Sequence, residues 1–225
     1  MDGISRRGVM CSAILGGVWT ALSGGSRAEA QEQKKMKVYP NEHFYKADGT
    51  FNVEAAKAAF YEMFDFHKYP IVPRLKGDEF WVADFGLGKF TEIGMGGIFW
   101  LNFKEQNYFG HEIFLLPGQC IPEHKHVKTP DAGPKLESWH VRHGFVHIYG
   151  EGQATAGVET RIPPTHKECC KAKVEKKLMP GEVGHLGAAE QWHWMKGGDQ
   201  GGIVTEYATY HDGKALRFSH SGIKF

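Results

Sequence analysis

The chain has 225 residues, with 27 Lys and Arg against 26 Asp and Glu, a formal net charge of +1. That length suits one substantial domain, and no shift in composition divides it. With neither sign in excess, composition argues against a nucleic-acid partner or electrostatic attachment to a membrane surface, and a small uncharged ligand fits better.

In chain order, Ser5-Arg6-Arg7-Gly8-Val9-Met10 precedes an apolar run from Val9 to Leu22 and the small-residue site Ala28-Glu29-Ala30. This pattern predicts a twin-arginine export signal over residues 1–30, removed so that the mature chain starts near Gln31 and works in the periplasm or outside the cell. The alternative is a membrane anchor, but Ser12, Gly16 and Gly17 interrupt the run, and it falls short of the roughly 20 apolar residues a span needs. Nothing later is apolar enough to span, so no membrane partner is expected after cleavage. Residues 31–225 are then one domain. Cys11 leaves with the leader; Cys120, Cys169 and Cys170 stay, and both a disulfide from Cys120 to one of the pair and three free thiols remain open.

Between Asn52 and Phe66, Val53, Ala56, Phe60, Met63 and Phe64 recur at helical spacing, Asn52 is a natural N-cap and Glu54 sits in the first turn. An amphipathic helix over about 52–66 is expected, packed outside a sheet. From Phe80 onward the pattern becomes short apolar runs between turn residues: Phe80–Phe85, Gly97–Phe103, Glu112–Leu116, Ser138–Val141, Phe145–Tyr149, Val174–Leu178 and Ile203–Tyr207. Such runs predict an all-β sandwich or barrel. Lys128–Lys135 and Gly152–Lys171, rich in Pro, Gly, Thr and Lys, read as long hairpin loops.

Gly118 is followed after five residues by His124-Lys125-His126, and Glu137 is followed after six by Gly144. The segment resembles the first motif of the cupin family, G-x5-H-x-H…E-x6-G, and so implies a cupin (jelly-roll) β-barrel. The spacing has a physical basis: residues i and i+2 of a strand share a face, so His124 and His126 offer two imidazoles to one point. Glu137 is expected from the partner strand of the same hairpin. A fourth ligand is expected from His193, in Gln191-Trp192-His193-Trp194 after the Pro180-Gly181-Glu182 turn, with His185 as its rival. The chain has 13 histidines; His140 has the opposite parity to Glu137 and should face outward. The pattern departs from the common motif in having ten residues between His126 and Glu137, and Gly187-Ala188-Ala189 where the second motif usually has Pro-Pro-Gly.

From about Phe60 to Phe225 the chain also resembles the D-lyxose isomerase family of cupins. The likeness rests on Val82-Ala83-Asp84-Phe85-Gly86-Leu87-Gly88-Lys89-Phe90 with Ile93-Gly94, on Phe114-Leu115-Leu116-Pro117-Gly118-Gln119, and on Glu206 with Arg217-Phe218. The resemblance implies a sugar ketol-isomerase, a homodimer, and a divalent metal, usually manganese, on His124, His126, Glu137 and His193; iron, zinc, cobalt and nickel are the alternatives. In open equilibrium three His and one Glu favour copper or zinc over manganese, so loading before folded export would be needed to retain manganese.

Interconverting an aldose and a ketose requires a base that reaches C1 and C2. Glu206, on the apolar strand Ile203–Tyr207, is the candidate, unless it faces solvent. Lys135 shares parity with Glu137 and either holds a substrate oxygen or lies in water. Arg217 is a candidate to orient substrate or pair with Glu206. Trp139, Trp192 and Trp194 are either a sugar-stacking wall or core. Two further functions fit the ligand set: an iron dioxygenase, which does not strictly need Glu206, and a metal-dependent sugar-binding module without chemistry.

Overall fold

A computed structural model describes residues 35–225, and the expected leader over residues 1–30 lies outside the described residues. Helix α1 runs Val53–His67, with the Asn52 side chain accepting from the Ala55 N–H at its start. Lys68 ends it in the left-handed conformation, two residues before Pro70. Ala56, Ala59, Phe60, Met63 and Phe64 form the buried face. Val53, expected on that face, stays 41% exposed in the first turn. The face packs on the outside of the sheet, with Phe60 and Phe64 against Phe80 and Phe114. Each such ring contributes roughly 1.5–3 kcal/mol by leaving water.

Among the described residues there are nine strands, β1 (Phe80–Ala83), β2 (Met95–Phe103), β3 (Tyr108–Leu115), β4 (Cys120–His126), β5 (Glu137–Gly150), β6 (Val174–Leu178), β7 (Val183–His185), β8 (His193–Ala208) and β9 (Leu216–Phe218). They join antiparallel in one curled sheet, ordered β1-β2-β3-β8-β4-β9, with β5 pairing β8, β6 and β7. The expected mostly-β, cupin-type architecture with one external helix forms, the sheet curling into a half-barrel. A second core, including Ile113, Val141, Met195 and Val204, lies within the curl.

Strand β8 is much longer than the predicted Ile203–Tyr207, spanning 16 residues. Its glycines at 197, 198, 201 and 202 look like a break in the sequence. They instead admit close neighbours: a Cβ on Gly198 would strike the Phe145 ring, and one on Gly202 would strike Val146. The two predicted strands Ser138–Val141 and Phe145–Tyr149 likewise merge into β5, which bulges on either side of Gly144. Gly144 has φ 65°, and a Cβ there would collide with the Gly201 carbonyl. That contact is the physical content of the second glycine in the motif.

Glu137 does not arrive from a hairpin partner of the His124 strand. Strand β4 pairs with β8 and β9, whereas β5 pairs with β8 on the far side, so β8 lies between the two. Crossing one strand means covering about 10 Å at ~4.8 Å per strand spacing, which the long connector after His126 allows. Of the two cysteine alternatives, the structure has free thiols at Cys120, Cys169 and Cys170.

Candidate active site

The register of β4 against β8 sets His124 directly opposite His193, with ring centroids 4.3 Å apart. His126, two residues on, turns its ring to the same side. One ring nitrogen from each of the three lies within 4.8 Å of the others. Glu137, the first residue of β5, reaches the same point: Oε2 is 3.0 Å from His193 Nε2 and Oε1 is 3.4 Å from His126 Nε2. The rival His185 is exposed, paired in register with Ser138, and outside this cluster. His140 faces outward as expected, its Nδ1 3.4 Å from the Tyr207 hydroxyl.

Two backbone carbonyls orient the rings. His124 Nδ1–H donates to Pro122 O and His193 Nδ1–H to Gln191 O, both at 2.9 Å, which leaves each Nε2 as a bare lone pair. His193 Nε2 and Glu137 Oε2, 3.0 Å apart, are buried and each lacks a hydrogen-bond partner. Orphaned buried acceptors converging on one point fit a bound cation. Burial, with His193 and His126 as neighbours, holds the His124 imidazole well below its ordinary range, and burial lowers His126 as well. Burial also lowers His193, but Glu137 beside it outweighs that and raises it. For Glu137 burial acts upward, and Lys135, His126 and His193 together overcome it, so the carboxylate stays well below its usual range.

The second half of the site is built on β8 thirteen positions later, at Glu206, which is 4% exposed. Its cross-strand partner on β3 is His111, whose Nδ1 lies 3.1 Å from Glu206 Oε2. Lys135 is buried, and its ammonium bonds Glu137 Oε1 at 2.9 Å and also Glu206 Oε1. One cation thus bridges the carboxylate among the imidazoles and the carboxylate expected as base. Burial pushes the Lys135 ammonium down, but Glu137 and Glu206 outweigh it and raise its pKa, so it stays charged.

These residues line one cavity. Trp139 and Trp194 line it. Trp192 does not; it lies under the Lys125 and Lys171 ammonium groups at 5.0 and 4.2 Å. Arg217 is not brought to the cavity. It pairs in register with Lys125, is exposed, and donates to the Lys214 and Leu216 carbonyls. Its neighbours Leu216 and Phe218 line the cavity, so strand alternation turns Arg217 outward, away from Glu206. Arg217→Ala is therefore expected to leave kcat/KM within about twofold, checked by steady-state kinetics.

Sequence reasoning missed His111, His211, Trp81 and Phe225, all of which line the cavity. The predicted strand starts at Glu112; carrying the alternation of Leu115 and Ile113 back two positions would have placed His111 inside. His211 lies beyond β8, where no periodicity applies, and is stacked on Phe109 with ring centroids 5.3 Å apart. Burial, with Lys135, His126 and His111 nearby, lowers its pKa to about 2, so it is a neutral imidazole.

No protein-family model matches the sequence. The chain is 32% identical over 143 residues to a D-lyxose/D-mannose isomerase of Thermosediminibacter oceani, covering 64% of this chain and 77% of that protein. It is 34% identical over 128 residues to a D-lyxose ketol-isomerase of Cohnella laeviribosi, covering 57% and 69%. Among solved structures, the L-ribose isomerase of Acinetobacter sp. DL28 in complex with L-ribose superposes with a TM-score of 0.60 at 14% identity, covering 82% of this chain and 96% of that one. The L-ribose isomerase of Cellulomonas parahominis gives 0.59 at 14% identity, covering 80% and 95%. At that identity the likeness is one of fold, and the fold it identifies is the cupin-like one found here. The sequence relatives carry the assignment: the chain belongs to the D-lyxose isomerase family of sugar ketol-isomerases.

Proposed function

We propose that the protein interconverts D-lyxose and D-xylulose, or the related D-mannose pair, by moving a proton between C1 and C2 of the open-chain sugar. The observation that carries this reading is Glu206, a buried carboxylate in the same cavity as the His124, His126, His193 and Glu137 cluster, tied to it through Lys135. Bound by those four residues, a divalent ion, manganese by family resemblance, supplies a Lewis acid for the negative charge that develops on the sugar oxygens. Glu206 takes the proton from C2 of the aldose and returns it to C1, passing through a cis-enediol, while a proton moves from O2 to O1. Lys135, kept charged between two carboxylates, acts as a fixed hydrogen-bond donor and not as a base. The aromatic walls Trp81, Phe99 and Trp139 exclude water from the reacting end.

The test is turnover of D-lyxose and D-mannose by manganese-loaded protein in heavy water. Deuterium at C1 of the ketose or C2 of the aldose is the expected result. Oxygen consumption without isomerisation would favour an iron dioxygenase, and sugar binding without exchange would favour a binding module; either outcome sinks the proposal.

A further inference from the structure

Resting on the isomerase reading and on Glu206 as its base, we propose that His111 is the positioning residue for that base, and that Gly97 is the slot that lets it act. Three observations meet here. First, His111 and Glu206 are direct cross-strand partners between β3 and β8, and His111 Nδ1 is 3.1 Å from Glu206 Oε2. A carboxylate oxygen accepts, so Nδ1–H is the donor of this bond. Second, the ring is gripped. The Trp81 indole is stacked on it at 5.6 Å and 24°, and the Phe99 and Phe109 rings lie at 4.9 and 5.6 Å. A Cβ on Gly97 would stand 2.5 Å from His111 Nε2 and 2.6 Å from the Trp81 ring, so only glycine leaves the slot open. Third, His111 Nε2 is buried and has no hydrogen-bond partner in the protein. A buried imidazole with one nitrogen committed to a carboxylate and the other unpaired is costly as mere packing. The cost is understandable if the committed bond does work.

That work is orientation. Lys135 holds Glu206 Oε1 and His111 holds Oε2, so the carboxylate plane has one donor at each oxygen and cannot rotate. A base serving two adjacent carbons must keep its plane fixed while the substrate hydrogen passes from C2 to C1, because a displacement of about 1 Å costs on the order of a hundredfold in rate. Lys135 alone leaves rotation about the bond to the carboxylate free; the second donor removes it. His111 touches neither the imidazole cluster nor Glu137 by any hydrogen bond, so its role runs through Glu206.

Asn and Gln separate positioning from packing. The Asn amide N–H stands near the place of an imidazole Nδ1–H, and the Gln amide N–H near that of Nε2–H, so only Asn retains the donor toward Glu206. With D-lyxose as substrate and manganese-loaded full-length protein, His111→Ala is expected to lower kcat about 100-fold with KM within about threefold. His111→Asn is expected to recover to within about tenfold of the parent, and His111→Gln to remain with Ala. Gly97→Ala, which displaces the ring without removing it, is expected to reproduce the fall in kcat. Equal activity in Asn and Gln, or kcat unchanged in the Ala variant, would overturn the assignment. Should His111→Asn fail to fold, Gly97→Ala carries the test, and an unchanged kcat there overturns it. If the parent protein itself turns over no aldose, the isomerase reading has failed instead, and the two failures are told apart in the same assay.

Discussion

Glu206→Gln is expected to lower kcat about 10³-fold, within the range that a positioned general base supplies, while KM, metal content and fold are retained. The amide is isosteric, and its oxygen still accepts from the Lys135 ammonium, which also keeps Glu137 as a partner. The amide nitrogen then faces His111 Nδ1–H, a donor against a donor. His111 relieves this by moving its proton to Nε2, which has no other partner. The net loss of stability should therefore stay near 1 kcal/mol, the value of a typical hydrogen bond. The measurements are turnover, deuterium wash-in to the aldose, metal analysis and thermal unfolding on the same preparation. Turnover within tenfold of the parent would remove Glu206 from the reaction. A fall in metal content would instead mean that Glu206 acts by supporting Glu137 through Lys135, an outcome the geometry does not favour, since Glu137 meets two imidazoles of its own.

The second large effect concerns the imidazole cluster. Chelation is expected to abolish isomerisation and to lower the midpoint of thermal unfolding by several degrees, and manganese should restore both. A ligand present at 100 times its Kd stabilises the folded state by about 2.7 kcal/mol. In His193→Ala that chelator-dependent shift should vanish, metal stoichiometry should fall below about a tenth of the parent's, and kcat should drop more than about 10³-fold. His193 is the best single probe because β8 carries it opposite His124 and its Nε2 is buried with no hydrogen-bond partner. His185→Ala is the control, since that ring is exposed on β7 and outside the cluster. Elemental analysis and differential scanning calorimetry check these expectations. Full metal occupancy in His193→Ala would refute the ligand set.

The features legible in the sequence are those that depend on short-range geometry. His124 and His126 share a face because strand parity is a property of three consecutive residues, and the same parity put His140 outside. The helix over Val53–His67 was readable for the same reason, since 3.6-residue periodicity and an Asn cap act within a few turns. Parity fails where the strand boundary is misjudged. His111 fell one residue before the predicted strand, and Arg217 was weighed by its charge although Leu216 and Phe218 already fixed its outward direction.

By itself, the sequence determined the class of fold, the imidazole pair and the family pattern around it. Only the tertiary structure decided that β8 lies between the His124 strand and the Glu137 strand, that Lys135 joins Glu137 to Glu206, and that His111 faces Glu206. The physical reason is range. Periodicity is set by covalent geometry between near neighbours, whereas the meeting of residues 95 positions apart, as for His111 and Glu206, is set by strand register. Register is chosen by the whole sheet burying its apolar face at once, with the glycines of β8 admitting the close approach of β5.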